Sequence, residues 1–157
     1  MPAGVAAVAA SAVVVGCFFL RAPVLDRVFT VKGGAPVPFK TLKFSPKPNQ
    51  YLVCPEDYAG EAPHRKSPVF DIPASRLKAA WESMIADEPR VEIRSESGAQ
   101  TTYVQRTRLM RYPDLISVEF VALSEKTAAI AVFSRSIYGH SDLGANKKRV
   151  EDWLSKL

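Results

Sequence analysis

Between Pro2 and Leu20 the chain carries no charged residue, and it reads PAGVAAVAASAVVVGCFFL until Arg21 ends the run. At about 1.5 Å per residue, a helix of this length matches the hydrocarbon thickness of a bilayer. The segment therefore reads as a single transmembrane helix, a membrane anchor over residues 1–21. Small residues recur in it at helical spacing, Ala3 with Ala7, Ala6 with Ala10 and Ala12 with Gly16. Such faces let helix backbones approach closely in lipid, which makes Ala3, Ala7, Ala12 and Gly16 helix-packing candidates. Two other readings compete. Val14-Val15-Gly16-Cys17 looks like a lipidation signal, but no basic residues precede it. Ala10-Ser11-Ala12 looks cleavable, but the apolar run continues past it. Arg21, Arg27 and Lys32 follow the segment, and the positive-inside rule then places the remainder on the cytoplasmic or stromal side. A lipidated Cys17 would place it outside.

A length of 157 residues suggests one domain with an appendage. The net charge of +5 fits a weak preference for anionic surfaces and equally fits no electrostatic role. Nucleic acid is excluded as a partner, because no dense Lys/Arg stripe with interleaved aromatics occurs. Cys17 and Cys54 lie in dissimilar segments and are not expected to pair. No CxxC or Cys/His cluster suggests a metal, and no cofactor is implied.

Residues 22–68 hold eight of the 12 prolines, with Gly33-Gly34 and Gly60 as further breaks. Proline removes backbone donors and favours extended or turn conformations. The expectation is an irregular Pro-rich stalk, wrapped over the domain or a partner and pinned by groups such as Tyr51-Leu52-Val53.

Residues 69–157 read as an α+β domain. Leu77, Ala80, Trp81, Met84 and Ile85 make one apolar stripe, which predicts a helix from Ser75 to Glu88. Pro73 suits its start and Pro89 stops it. Strands are predicted over residues 90–95, 100–111, 115–123 and 127–137, separated by turn signals at Ser97-Gly98, Tyr112-Pro113-Asp114 and Ser124-Glu125-Lys126. A loop then leads to a final helix with Val150, Trp153, Leu154 and Leu157 on its apolar face, and Ser141 or Asp142 as N-cap. The predicted fold is thus an N-terminal transmembrane helix, a Pro-rich stalk, and a four-stranded antiparallel meander with two helices packed on one face.

Two stretches, YVQRTRLMRYPD over residues 103–114 and SRSIYGHSDLGANKKR over residues 134–149, resemble a family of domains of unknown function, number fourteen ninety-nine. The likeness runs on through Trp153-Leu154 and includes Cys54-Pro55 upstream. It implies a small protein of bacterial inner or plastid membranes, often with an N-terminal anchor, and it carries no activity.

The strongest polar group is Arg106, Arg108 and Arg135, with Gln105, Asp114 and Asp142 nearby in sequence. Arg106 and Arg108, two apart on a predicted strand, would share a face. Such a cluster can hold a phosphate, carboxylate or lipid head group through guanidinium forks. Its alternative is structural, with Arg135 and Arg108 paired to Asp142 and Asp114. Lys147, Lys148 and Arg149 at a helix start run against the helix dipole and are candidate contacts for phosphate or an acidic partner. Ser134, Ser136, Ser141, His140 and Asp142 invite a hydrolase reading, but no Gly-x-Ser-x-Gly elbow is present and turn formation explains them better. No catalytic residue is assigned. The function expected is a non-enzymatic accessory subunit of a larger membrane complex, its partners being other subunits and the lipid bilayer. The alternative is a membrane-tethered lipid or small-anion binding domain using the arginines.

Overall fold

The computed structural model describes residues 22–157. Residues 22–28 are helical (α1), and a 3-10 turn follows at Phe39–Thr41. The remaining elements are β1 (Gln50–Cys54), β2 (Arg65–Lys66), α2 (Ala74–Ala86), β3 (Val91–Ser97), β4 (Gln100–Arg106), β5 (Pro113–Ala122), β6 (Ala128–Ser136) and α3 (Ala145–Leu154). The strands form one six-stranded sheet in the order β2-β1-β6-β5-β4-β3.

The expected four-stranded antiparallel fold is corrected by this sheet. β3 to β6 do form a meander, but β1 adds to it antiparallel to β6, and β2 pairs parallel to β1. The sheet is therefore mixed, and both added strands come from the segment expected to be irregular. β1 carries no strand signal in the sequence because it is buried on both faces and lacks the alternation that marks a half-exposed strand. The transmembrane helix predicted over 1–21, with Ala3, Ala7, Ala12 and Gly16, lies outside the described residues. Among those described, no helix is long and apolar enough to cross a membrane.

α2 and α3 cover one face. Leu77, Trp81 and Ile85 from α2 and Val150, Trp153 and Leu154 from α3 pack on Tyr51, Val53, Tyr103, Ile116, Val118, Ile130 and Val132. The 3.6-residue stripe of each helix meets the period-2 face of the strands, which is the physical reason for the layer. Trp81 and Trp153 meet edge to face at 5.7 Å.

The opposite face is crossed by residues 26–45. Phe39 and Leu42 cover Leu52, Cys54, Ala131 and Phe133 in a second, smaller core. Gln100 holds the strap by accepting the Val37 N–H at 2.6 Å and donating to the Val37 carbonyl at 2.9 Å. Gly34, at a positive φ of 106°, lies so close to Arg94 that a Cβ would meet its Cγ at 2.6 Å. Burial pushes the Cys54 thiol up to about 11, so it is an inert core group.

His64 pins the chain beyond β1. Its Nδ1 accepts the Leu52 N–H at 3.1 Å, and its ring lies 4.9 Å from Phe44 and 5.2 Å from Tyr51. Desolvation lowers its pKa below the ordinary histidine value of 6.5. The unfolded chain then binds the proton more readily, so stability falls as pH drops below 6.5 towards the lowered folded value. Chemical denaturation at stepped pH should show this loss in the wild type, and His64→Gln should flatten it.

Candidate functional site

Each predicted arginine ends in a different environment. Arg106 closes β4, and its Nη1 donates to the carbonyls of Phe29 and Arg111, both at 3.0 Å, and lies 3.4 Å from Asp26. Asp26 also takes a two-pronged contact from Arg111, Nε at 2.9 Å and Nη2 at 2.8 Å. The Arg111 hydrogen bond holds the Asp26 carboxyl below its usual range. Arg106 Nη1 is thus engaged in tying the strap to the sheet. Arg108 does not share its strand, because β4 ends at Arg106 and Arg108 is exposed in the following turn. The turn is closed by Thr107 Oγ1, which accepts the Tyr112 N–H, and by Arg111 at a φ of 58°.

The basic run at the start of α3 also divides. Lys147 is exposed and Lys148 pairs with Asp152. Arg149 turns inward beneath the helix. Its Nη2 meets Asp114 at 2.6 Å, and its Nη1 donates to Ser134 at 2.9 Å and Asn146 at 2.8 Å. Its Nε donates to Gln105. The two charged side chains are 8% and 4% exposed. Asn146, completely buried, donates to the Asn49 carbonyl, Ser136 and Asp142. The expected pairing of Asp114 and Asp142 with Arg108 and Arg135 is therefore replaced: Asp114 belongs to Arg149, and Asp142 accepts the Asn146 and Gly144 N–H groups. Gly144, at φ 80°, is the N-cap residue of α3, while Asp142 supplies the side-chain oxygens there. With every member satisfied, this network is a fastening and offers a ligand nothing.

Ser134 and Ser136 are engaged by Asn146, and neither hydrogen-bonds a histidine among the described residues. His140 is exposed. Among the described residues no group of three His, Cys, Asp or Glu side chains is placed to hold a metal.

Arg135 differs from the rest. It projects from β6 to the strap face, where its register partners are Leu115 on β5 and Gln50 on β1. Its Nη1 donates to the Ser117 hydroxyl at 3.2 Å and the Phe133 carbonyl at 3.4 Å, and its guanidinium lies 5.0 Å above the Phe133 ring. These partners are neutral, and among the described residues no carboxylate lies within ion-pair distance of it. Burial lowers its pKa to about 10, which leaves it charged at neutral pH. It lines a cleft of about 410 Å³ between the strap and the sheet, walled by Val37, Thr41, Leu42, Asn49 and Phe133. Lys43, at the same cleft, is 81% exposed and stands 4.0 Å from Glu61.

A cation held by two hydroxyl and carbonyl dipoles and a ring, with a cleft on its open side, is chemically suited to an anion of phosphate or carboxylate type. The sequence marked Arg135 but not its surroundings. Thr41, Leu42 and Lys43 come from the strap, and only the strap's path over β1 and β6 brings them to it.

No curated protein and no solved structure shows a significant match to the chain. The family model described as "Protein of unknown function (DUF1499)" matches residues 43–157, which include all six strands, Arg135 and the Arg149 network. That span is the greater part of the chain, and the protein belongs to the DUF1499 family of proteins of unknown function.

Proposed function

We propose that this protein is a membrane-attached binding domain for a small anion or an anionic head group, with Arg135 as the recognising cation and Lys43 as a mobile second charge. The apolar residues 2–20 supply the attachment, and flanking basic residues favour the cytoplasmic or stromal side. The observation that carries the reading is a partly buried guanidinium that, among the described residues, has no carboxylate partner and faces a cleft. A buried charge without a counter-charge is costly to a fold, and a bound anion would relieve that cost.

The test is thermal unfolding of the full chain in detergent, with inorganic phosphate or citrate added. Ligand at roughly a hundredfold above its dissociation constant adds about 2.7 kcal/mol to stability. Arg135→Met should remove that gain and leave the ligand-free protein as stable as wild type or more so, since Ser117 keeps its 3.1 Å contact with Thr102. A gain that persists in Arg135→Met would overturn the reading. A gain with anionic vesicles but not with soluble anions would identify a lipid head group.

A second reading, a non-enzymatic accessory subunit of a membrane complex, is favoured by β3. That strand ends the sheet, so its outer edge is unpaired among the described residues, and it exposes Ile93 at 61%. Extraction in mild detergent distinguishes the two readings. A large particle with stoichiometric partners supports the second, and a particle of single-chain size carrying an anion supports the first.

A further inference from the structure

One end of the sheet gathers features that the anion cleft does not use. β5 begins there at Pro113, β4 ends at Arg106, β6 ends at Ser136 and β1 begins at Gln50, as their register requires. The β4–β5 turn, the β6–α3 loop and the loop before β1 therefore share this end. α1 is fastened to it as well. Asp26 grips Arg111, the Phe29 ring lies 4.5 Å from Tyr112 and 5.5 Å from Tyr138, and the Tyr138 hydroxyl donates to the Thr30 carbonyl at 2.8 Å. Hence α1, with which the described residues begin, is held at this end.

Several of its outward side chains are apolar. Leu109 and Met110, adjacent at the tip of the β4–β5 turn, are 62% and 47% exposed. Val24 and Val28 on the outer side of α1 are likewise exposed, and Leu143 in the β6–α3 loop is 96% exposed. Leu143 also sits at a φ of 52°, which L side chains rarely adopt. An apolar side chain both strained and projected into solvent is doubly unfavourable unless something covers it. Around these residues stand basic side chains, Arg27, Arg108, Lys47 and Lys147, all exposed. Of the carboxylates at this end, Asp26 and Asp114 are paired with Arg111 and Arg149, Asp142 accepts N–H groups at the start of α3 and Glu88 pairs with Lys156, while Asp87 and Glu92 are exposed.

We infer that this end of the domain docks on an anionic lipid surface, with Leu109 and Met110 inserted below the head groups and the surrounding arginines and lysines bound to phosphates. The inference rests on the attachment of residues 2–20 to a membrane. The occupant follows from where the chain leads and from charge. The segment that precedes α1 in sequence is uncharged over 19 positions, from Pro2 to Leu20. An apolar tip ringed by cations is complementary to acyl chains beneath anionic head groups. A short tether then acts as a second anchor, raising the local concentration of the turn at the bilayer. The arrangement fixes the domain's orientation, with the sheet standing end-on to the membrane.

The test uses the full chain in vesicles of phosphatidylcholine with phosphatidylglycerol. Leu109→Trp places a reporter at the turn, and Leu123→Trp places one in the β5–β6 hairpin at the opposite end, where Leu123 is 48% exposed. The native Trp81 and Trp153 are buried and give a constant background. The expected result is a blue-shifted emission and strong quenching by brominated lipid for Leu109→Trp, and neither for Leu123→Trp. Quenching should weaken when phosphatidylglycerol is omitted. If both variants float with the vesicles and both stay unquenched, the docking is overturned while the attachment stands. If neither floats, the attachment reading fails, and this inference fails with it.

Discussion

Arg149→Ala is expected to lower the unfolding free energy by about 3–5 kcal/mol, because it leaves Asp114 as an uncompensated charge in the interior. Asp114 is 4% exposed and has Arg149 as its ion-pair partner at 2.6 Å. The same change removes donors from Ser134, Asn146 and Gln105 at once. Asp114→Ala should cost a similar amount by stranding the guanidinium. The double variant should cost less than the sum of the two, since the stranded charge disappears with its partner. Urea denaturation of the four proteins measures the coupling. Additive losses would mean that the pair does not act as a unit.

The second large effect belongs to the helix face. Trp81 is fully buried, 5.7 Å from Trp153 and 6.3 Å from Phe120, and it joins α2 to α3 and to β5. Trp81→Ala should cost about 3–5 kcal/mol through lost burial and the cavity it leaves. Trp81→Phe should cost much less. Among the described residues the indole N–H makes no hydrogen bond of good geometry, its polar neighbour being the Tyr103 hydroxyl, so phenylalanine forfeits mainly volume. Equal losses in the two variants would mean that the indole N–H is held strongly, with the Tyr103 hydroxyl as its partner.

α2 was legible in the sequence because Leu77, Trp81 and Ile85 recur at helical spacing between two prolines, and those three residues are the buried ones. The meander was legible from turn chemistry, since glycine at a φ of 58° closes the β3–β4 hairpin at Gly98. β1 was hidden for the opposite reason. Tyr51, Leu52, Val53 and Cys54 face cores on both sides, so they show no period, and they lie between Pro48 and Pro55. Arg108 reads as a strand residue in the sequence because the alternation of β4 continues past its end at Arg106 into a turn. That turn is set by Thr107 and by the left-handed Arg111, neither of which has the composition of a turn.

The candidate site was half legible. Arg135 is the one charged residue on a strand of alanine, isoleucine, valine, phenylalanine and serine. Its freedom from carboxylates was not legible, because the nearby acids in sequence are captured elsewhere. Asp142 serves the start of α3, and Asp114 faces the other side of the sheet. A strand places successive residues on opposite faces, so Ser134 joins the Arg149 network while Arg135, the next residue, enters the strap cleft. Nor could sequence spacing show that residues 36–45 would roof it.

The most direct test of the central claim is to follow the side-chain Nε–H resonances of the arginines by NMR while inorganic phosphate is titrated into the full chain in detergent. The account predicts a saturable shift at Arg135, with Arg106, Arg111 and Arg149 unmoved because carboxylates and carbonyls already hold them. Arg135 silent throughout, or all arginines drifting together without saturation, would contradict it.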